Sequence, residues 1–119
     1  MDWNLALDMQ GGPNWVENYV DSPIITNEKL MEYYKQPMYY ALGHFTRFIS
    51  PGSILLETKN SDPLGLEAII LENPINHYTV GIVLNRFKSV IPLTINDPKH
   101  GNISVEIKPK SIQTIIWQE

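Results

Sequence analysis

The chain has 119 residues and no cysteine, which excludes disulfides and thiolate metal centres. Positive charge is scarce: 9 Lys and Arg stand against 13 Asp and Glu, for a formal net charge of -4. That balance excludes a general phosphate-binding footprint, so no nucleic-acid partner is expected. Lys108, Lys110 and Arg86 read as solvated strand-end charges. No apolar run approaches the roughly 18 residues that a spanning helix needs. Met1 is followed by Asp2, without a basic segment or an apolar stretch, so no signal peptide is visible. His44, His77 and His100 stand far apart, with no acidic neighbours at metal-binding spacing. A Gly-rich phosphate loop, a nucleophile elbow and a basic recognition helix are all absent. The sequence implies no cofactor.

What remains is an ordinary globular balance, 43% hydrophobic and 18% charged. Trp3 to Leu7 alternates apolar with small or polar residues and predicts a short strand. Gly11-Gly12-Pro13 ends it, and an irregular stretch is expected to about Thr26. Asn27 is placed to cap a short helical turn through Glu28, Lys29 and Leu30. Met38, Leu42, Phe45 and Ile49 fall on one helical face, predicting a helix over Gln36 to Ile49. Pro37 suits its first turn, and Pro51-Gly52 stops it.

From Ser53 the period changes. Runs rich in Ile, Val, Leu and Thr cover 54–58, 66–71, 78–84, 90–95, 103–107 and 112–117. Turn signals such as Ser61-Asp62-Pro63, Asn73-Pro74 and Asp97-Pro98 separate them, which predicts an antiparallel sheet or sandwich. The fold class is therefore mainly β, with a boundary near Ser50 to Ser53. A lone strand, loop and helix cannot bury both faces, so residues 1–52 read as a fragment of a larger α/β layer. The final strand and helix of a (β/α)8 barrel would look like this. The first half also gathers two tryptophans, amides and a Gly-Gly-Pro break, a composition suited to presenting aromatic faces to a sugar.

The words WNLAL, GGPNW, DSPII, YKQPMYY, LGHF, VLNR and PLTI, with Asp97-Pro98 and the closing Ile116-Trp117, run in order along the chain. In them the sequence resembles the C-terminal part of the glucosylceramidases of glycoside hydrolase family 30. The resemblance implies that 1–52 is the terminal strand, loop and helix of a catalytic (β/α)8 barrel. It implies that 53–119 is most of a C-terminal antiparallel β-sandwich, completed by strands from near the N-terminus of the full protein. The implied reaction is hydrolysis of the β-glucosidic bond of glucosylceramide, or a related β-glucoside, with retention. Retaining glycosidases use two carboxylic acids about 5 Å apart. The resemblance puts both upstream, so no catalytic residue is assigned here and the chain is expected to be inactive alone. Also implied are a lysosomal or secretory location, the upstream barrel as partner, a saposin-type activator and an acidic membrane surface.

For the site, the resemblance makes Trp3 a wall of the glucose pocket, its indole stacking on pyranose C–H groups. Taken alone, a strand-end tryptophan more often packs between barrel and helix, and the resemblance reverses that balance. Asn18 is placed at the pocket mouth for a substrate hydrogen bond, against the alternative of an Asx turn. Asp2 and Asn4 stand beside the pocket, as support. Trp15 and Asn14 read as loop structure, and Asp21 as a turn cap before Ser22-Pro23. Tyr33, Tyr34, Tyr39 and Tyr40 read as packing aromatics. A competing reading is a non-catalytic β-sandwich module that binds carbohydrate or protein; another is an inactive truncated product. Asn102-Ile103-Ser104 is a glycosylation sequon, a triplet that also arises by chance.

Overall fold

The fold is described from a computed structural model, over residues 5–12, 19–61 and 65–118. Contacts divide the chain into Met1–Gly43 and His44–Glu119.

In the first unit, β1 (Ala6–Asp8), β2 (Ile24–Asn27) and β3 (Glu32–Lys35) form a sheet in that order. β1 and β2 run parallel, with Ala6 opposite Ile24; β2 and β3 are antiparallel. The β2–β3 hairpin takes over the last residues of the expected irregular stretch, from Ile24, and replaces the expected helical turn. Asn27 does cap: its Oδ1 accepts from the Leu30 N–H at 3.3 Å. The chain then reverses instead of winding on, through Met31 at φ 55. Cross-strand packing decides the outcome, since Ile25 and Thr26 face Tyr34 and Tyr33 in β-branched–aromatic pairs. The four tyrosines are correspondingly not core. Tyr33 and Tyr34 lie exposed on β3, and the Tyr39 and Tyr40 rings meet edge to face at 5.4 Å. Lys35 Nζ sits 4.9 Å over the Tyr39 ring.

The helix α1 (Pro37–Thr46) is shorter than the expected Gln36 to Ile49, although the Ile49 N–H still donates to Phe45 O at 3.1 Å. It buries no residue, and its Met38, Leu42 and Phe45 face stays exposed. Leu7 is the one buried large apolar side chain of this unit among the described residues.

The second unit carries the strands that the period-2 runs predict. β4 (Ile54–Leu55), β5 (Glu67–Asn73), β6 (Tyr78–Asn85) and β9 (Ser111–Gln118) form one antiparallel sheet in the order β4-β5-β6-β9. β7 (Ile91–Asp97) and β8 (Gly101–Ile107) form a second, two-stranded sheet. Leu66, Val83 and Ile107 make the core, flanked by Ile91, Leu93, Val105 and Ile115. On β7 and β8 the alternation is strict. Pro92, Thr94, Asn96, Asn102, Ser104 and Glu106 are exposed, while Ile95 and Ile107 turn inward.

A polar junction at the β7 end ties the two sheets. Trp117 on β9 lies over Gly81 on β6, where an added Cβ would stand 3.3 Å from the indole. Its Nε1–H donates to Asp97 Oδ2 at 2.8 Å, at the end of β7. His100 Nδ1 lies 2.7 Å from the same oxygen, and a carboxylate only accepts, so this nitrogen carries the proton. The backbone N–H groups of Lys99 and His100 donate to Asp97 Oδ1. Lys99 Nζ reaches Glu72 on β5 at 3.2 Å.

The His100 bond, then the Trp117 bond, hold the Asp97 carboxyl far below the usual carboxylate range; burial opposes them and the two backbone bonds assist. A carboxyl depressed on folding stabilises the protein above its unfolded pKa, about 3.9. That contribution falls away as pH drops from there toward the folded value. Asp97→Asn turns an amide toward two donors. It is expected to destabilise the full-length protein by about 1–3 kcal/mol near pH 5–7. The gap between variant and parent should narrow below about pH 4. Urea midpoints measured across pH check both the loss and its sign.

Candidate functional site

Trp3, Asn18, Asp2 and Asn4 lie outside the described residues, as do Asn14, Trp15 and Glu17. The described structure supplies the frame on either side of them. Leu5 O accepts from the Ile24 N–H at 3.0 Å, so the segment that follows Trp3 and Asn4 is fixed to β2. After β1 the chain turns on Asp8. Its Oδ1 accepts from the backbone N–H groups of Gln10 and Gly12, both at 2.8 Å. The Asp8 N–H donates to Gly12 O at 3.0 Å, and Gly11 N–H donates to Asp8 O at 3.1 Å. Gly11 has φ +75 and backs onto Tyr19 and Val20; an added Cβ would lie 2.8 Å from Val20 O. The chain thus leaves at Gly12 and is back beside Gly11 at Tyr19.

Asp21 then ends the loop. Its Oδ1 accepts from the Ser22 N–H at 2.8 Å and from Gln36 Nε2 at 3.0 Å. The turn-cap role expected from the sequence is therefore what the structure has. The Ser22 hydroxyl, fully buried, donates to Ile24 O. Gln36 is the junction residue, because its N–H also donates to Pro23 O at 2.9 Å just ahead of α1. Thr26 Oγ1 donates to Leu7 O at 3.3 Å across the parallel pair.

These groups enclose an open cavity of about 560 Å3, lined by Asp8, Met9, Gly11, Tyr19, Asp21 and Gln36, among others. Sequence reasoning left Tyr19 and Gln36 unremarked. Tyr19 is 72% exposed and offers an aromatic face directly after Asn18. Its position beside a candidate hydrogen-bonding Asn was the available signal. Both described carboxylates at this cavity are engaged by turn donors. The arrangement can hold and orient a polar ligand; it does not pair two free acids. Among the described residues no group of three His, Cys, Asp or Glu is placed to hold a metal ion. No helix among them is long and apolar enough to cross a membrane.

A second cavity, about 590 Å3, lies within the sandwich. Leu66, Ala68, Ile70 and Val83 line one side, and Ile91 to Ile95 the other, with 58–61 along it. Its walls are chiefly aliphatic, with no converging set of charged groups.

The profile of the glycosyl hydrolase family 30 TIM-barrel domain matches residues 1–49, and that of the family 30 beta sandwich domain matches 52–115. The chain is 46% identical over 117 residues to lysosomal acid glucosylceramidase of Mus musculus, covering 98% of this chain and 22% of that protein. It is 41% identical over 121 residues to putative glucosylceramidase 3 of Caenorhabditis elegans, with 99% and 23% covered. The chain thus spans less than a quarter of the length of these curated relatives. Among solved structures, SrfJ from Salmonella typhimurium superposes with a TM-score of 0.89 at 29% identity, over 99% of this chain and 26% of that one. An endo-beta1,6-glucanase superposes at 0.87 and 20% identity, over 98% and 26%, which bears on the fold alone.

Proposed function

The chain belongs to glycosyl hydrolase family 30, and from that premise we propose that it is the closing part of a glucosylceramidase. One observation carries this reading. The first unit buries little beyond Leu7, and its helix buries nothing, so these elements are the open side of a larger layer. We place the division at 52/53, with the helix belonging to the barrel; the profile matches, which end at 49 and begin at 52, support a boundary close to there.

In this reading the full protein cleaves the β-glucosidic bond of glucosylceramide with retention. The two carboxylic acids stand about 5 Å apart on upstream barrel strands. This chain closes the pocket. Trp3 stacks on the sugar, Asn18 hydrogen-bonds a hydroxyl, and Asp2 and Asn4 hold the strand end that carries Trp3. The Asp8 and Asp21 turns fix the loop between Trp3 and Asn18. The aliphatic cavity of the sandwich is the seat of strands from the upstream part, which widen the two-stranded sheet and cover its free edge. The compartment is carried over from the mouse relative's name, and is lysosomal. Ceramide tails keep the substrate in a bilayer, so the pocket mouth works at an acidic membrane surface with a saposin-type activator.

Turnover of a fluorogenic β-glucoside tests the proposal. The 119-residue chain alone is expected to give none, and co-production with the upstream barrel to restore it. In the full-length protein, Trp3→Ala is expected to lower kcat/KM at least about tenfold through lost stacking. Turnover by the isolated chain, or full activity of the Trp3 variant, overturns the reading.

A further inference from the structure

Asn102-Ile103-Ser104 is the only Asn-X-Ser/Thr triplet in the sequence, and the sugar-cleaving site makes no use of it. We propose that Asn102 carries an N-linked glycan, on the outer face of the β7–β8 hairpin. The proposal rests on the secretory or lysosomal reading above, because the glycan donor is met only in that pathway.

Position is the first argument. Asn102 is exposed, one residue past the β7–β8 turn, and paired with Asn96. No side-chain hydrogen bond engages its amide among the described residues. The outward face around it is polar, with Thr94, Asn96, Ser104 and Glu106, and Pro92 is its one apolar residue, at the far end from Asn102. Ser104 and Thr94 meet hydroxyl to hydroxyl at 3.2 Å. Such a face presents no large apolar patch that would call for a partner. Apart from Pro92, the apolar side chains of the same strands lie on the other face. A glycan therefore projects from Asn102 without displacing a packed group. Asn85 is the contrast, fully buried with its amide held by two carbonyls.

The chemistry closes without a redox step. Asn102 Nδ2 attacks C1 of a lipid-pyrophosphate-linked oligosaccharide. The Nδ2–C1 bond forms, the C1–O bond to the pyrophosphate breaks, and one amide proton is lost as lipid pyrophosphate leaves. Ser104 supplies the hydroxyl two residues on that the acceptor triplet requires.

The test uses the full-length protein isolated from its own cells. Its peptide beginning at His100 is read by mass spectrometry before and after peptide N-glycosidase, which converts a glycosylated Asn to Asp. Asp at position 102 only after treatment is the expected result. On gels, Asn102→Gln and Ser104→Ala should each lose one glycan's mass, and Ser104→Thr should keep it. An intact Asn102 beside other sequons that do convert overturns the site while leaving the compartment standing. Bare sequons throughout, in a protein found outside the secretory pathway, overturn the compartment and the site with it.

Discussion

Replacing Asn85 by leucine is expected to lower the stability of the full-length protein by about 3 kcal/mol. Leucine keeps the branched four-heavy-atom skeleton of asparagine and is somewhat bulkier, so no cavity is left and the loss comes chiefly from hydrogen bonds. Asn85 is fully buried at the end of β6. Its Nδ2 donates to Ser89 O at 2.9 Å and to Ile107 O at 3.1 Å, and its Oδ1 accepts from the Phe87 N–H at 2.9 Å. One amide thus closes the β6–β7 turn and pins the end of β8. Water can reach Phe87 and Ser89, which are exposed, but not Ile107, which is 0% exposed. The orphaned Ile107 carbonyl therefore dominates, at about 1–3 kcal/mol, with the two turn bonds adding the remainder. Asn85→Asp separates this account from a packing effect. An ionised aspartate keeps the Phe87 bond but faces two carbonyls that it cannot donate to. It should be at least as damaging as leucine at neutral pH, and milder at about pH 4, where a protonated acid donates again. Urea midpoints for the two variants decide it; a leucine variant within about 0.5 kcal/mol of the parent contradicts the assignment.

The second large effect is expected at Gly11, and it is a functional one. Gly11→Ala forces an alanine into φ +75 and sets its Cβ 2.8 Å from the Val20 carbonyl oxygen. The left-handed backbone costs about 1–2 kcal/mol. The contact has no rotamer escape, since a backbone atom stands in the way. The return of the chain at Tyr19 and Val20 has to shift, and Asn18 with it. Gly52 is the matched control. It has φ +86 and open space where its Cβ would be. Gly52→Ala should show the backbone penalty alone, with kcat/KM unchanged. Gly11→Ala should lose more stability and also lower kcat/KM about tenfold or more, by displacing groups that orient the substrate. Equal behaviour of the two variants would mean that the close approach has no bearing on the pocket.

The two halves of the chain were legible to different degrees, for physical reasons. From Ser53 on, β7 and β8 alternate inward and exposed residues, β6 is a continuous apolar run, and Asn, Pro and Gly turns separate the strands. Residues 20–35 offered no such period. Ile24 to Asn27 is four residues long, and Asn27 with Glu28 carries a valid capping signal. Only the pairing with Tyr33 and Tyr34 turns it into a hairpin, and pairing is not a local property. The helix was legible in kind but long by several residues, and its Met38, Leu42 and Phe45 face is left largely exposed. Asp97 could be read as a turn residue, but its bond to Trp117 spans 20 positions and two sheets. At the proposed sugar site, Trp3 and Asn18 came from family resemblance. Composition by itself could not separate a stacking tryptophan from a packed one.

The sheet order β4-β5-β6-β9 has a consequence for biosynthesis. β6 holds Val80, Ile82 and Val83, the densest run of buried aliphatic residues among those described. β5 covers one edge of it as soon as β6 leaves the ribosome, since the two form a hairpin. The other edge waits for β9, which is made only after the whole β7–β8 hairpin. For that interval a bare apolar edge is presented to other nascent chains. Chaperone occupancy on the ribosome should therefore peak while β7 and β8 are being translated, and end when Trp117 closes onto Gly81.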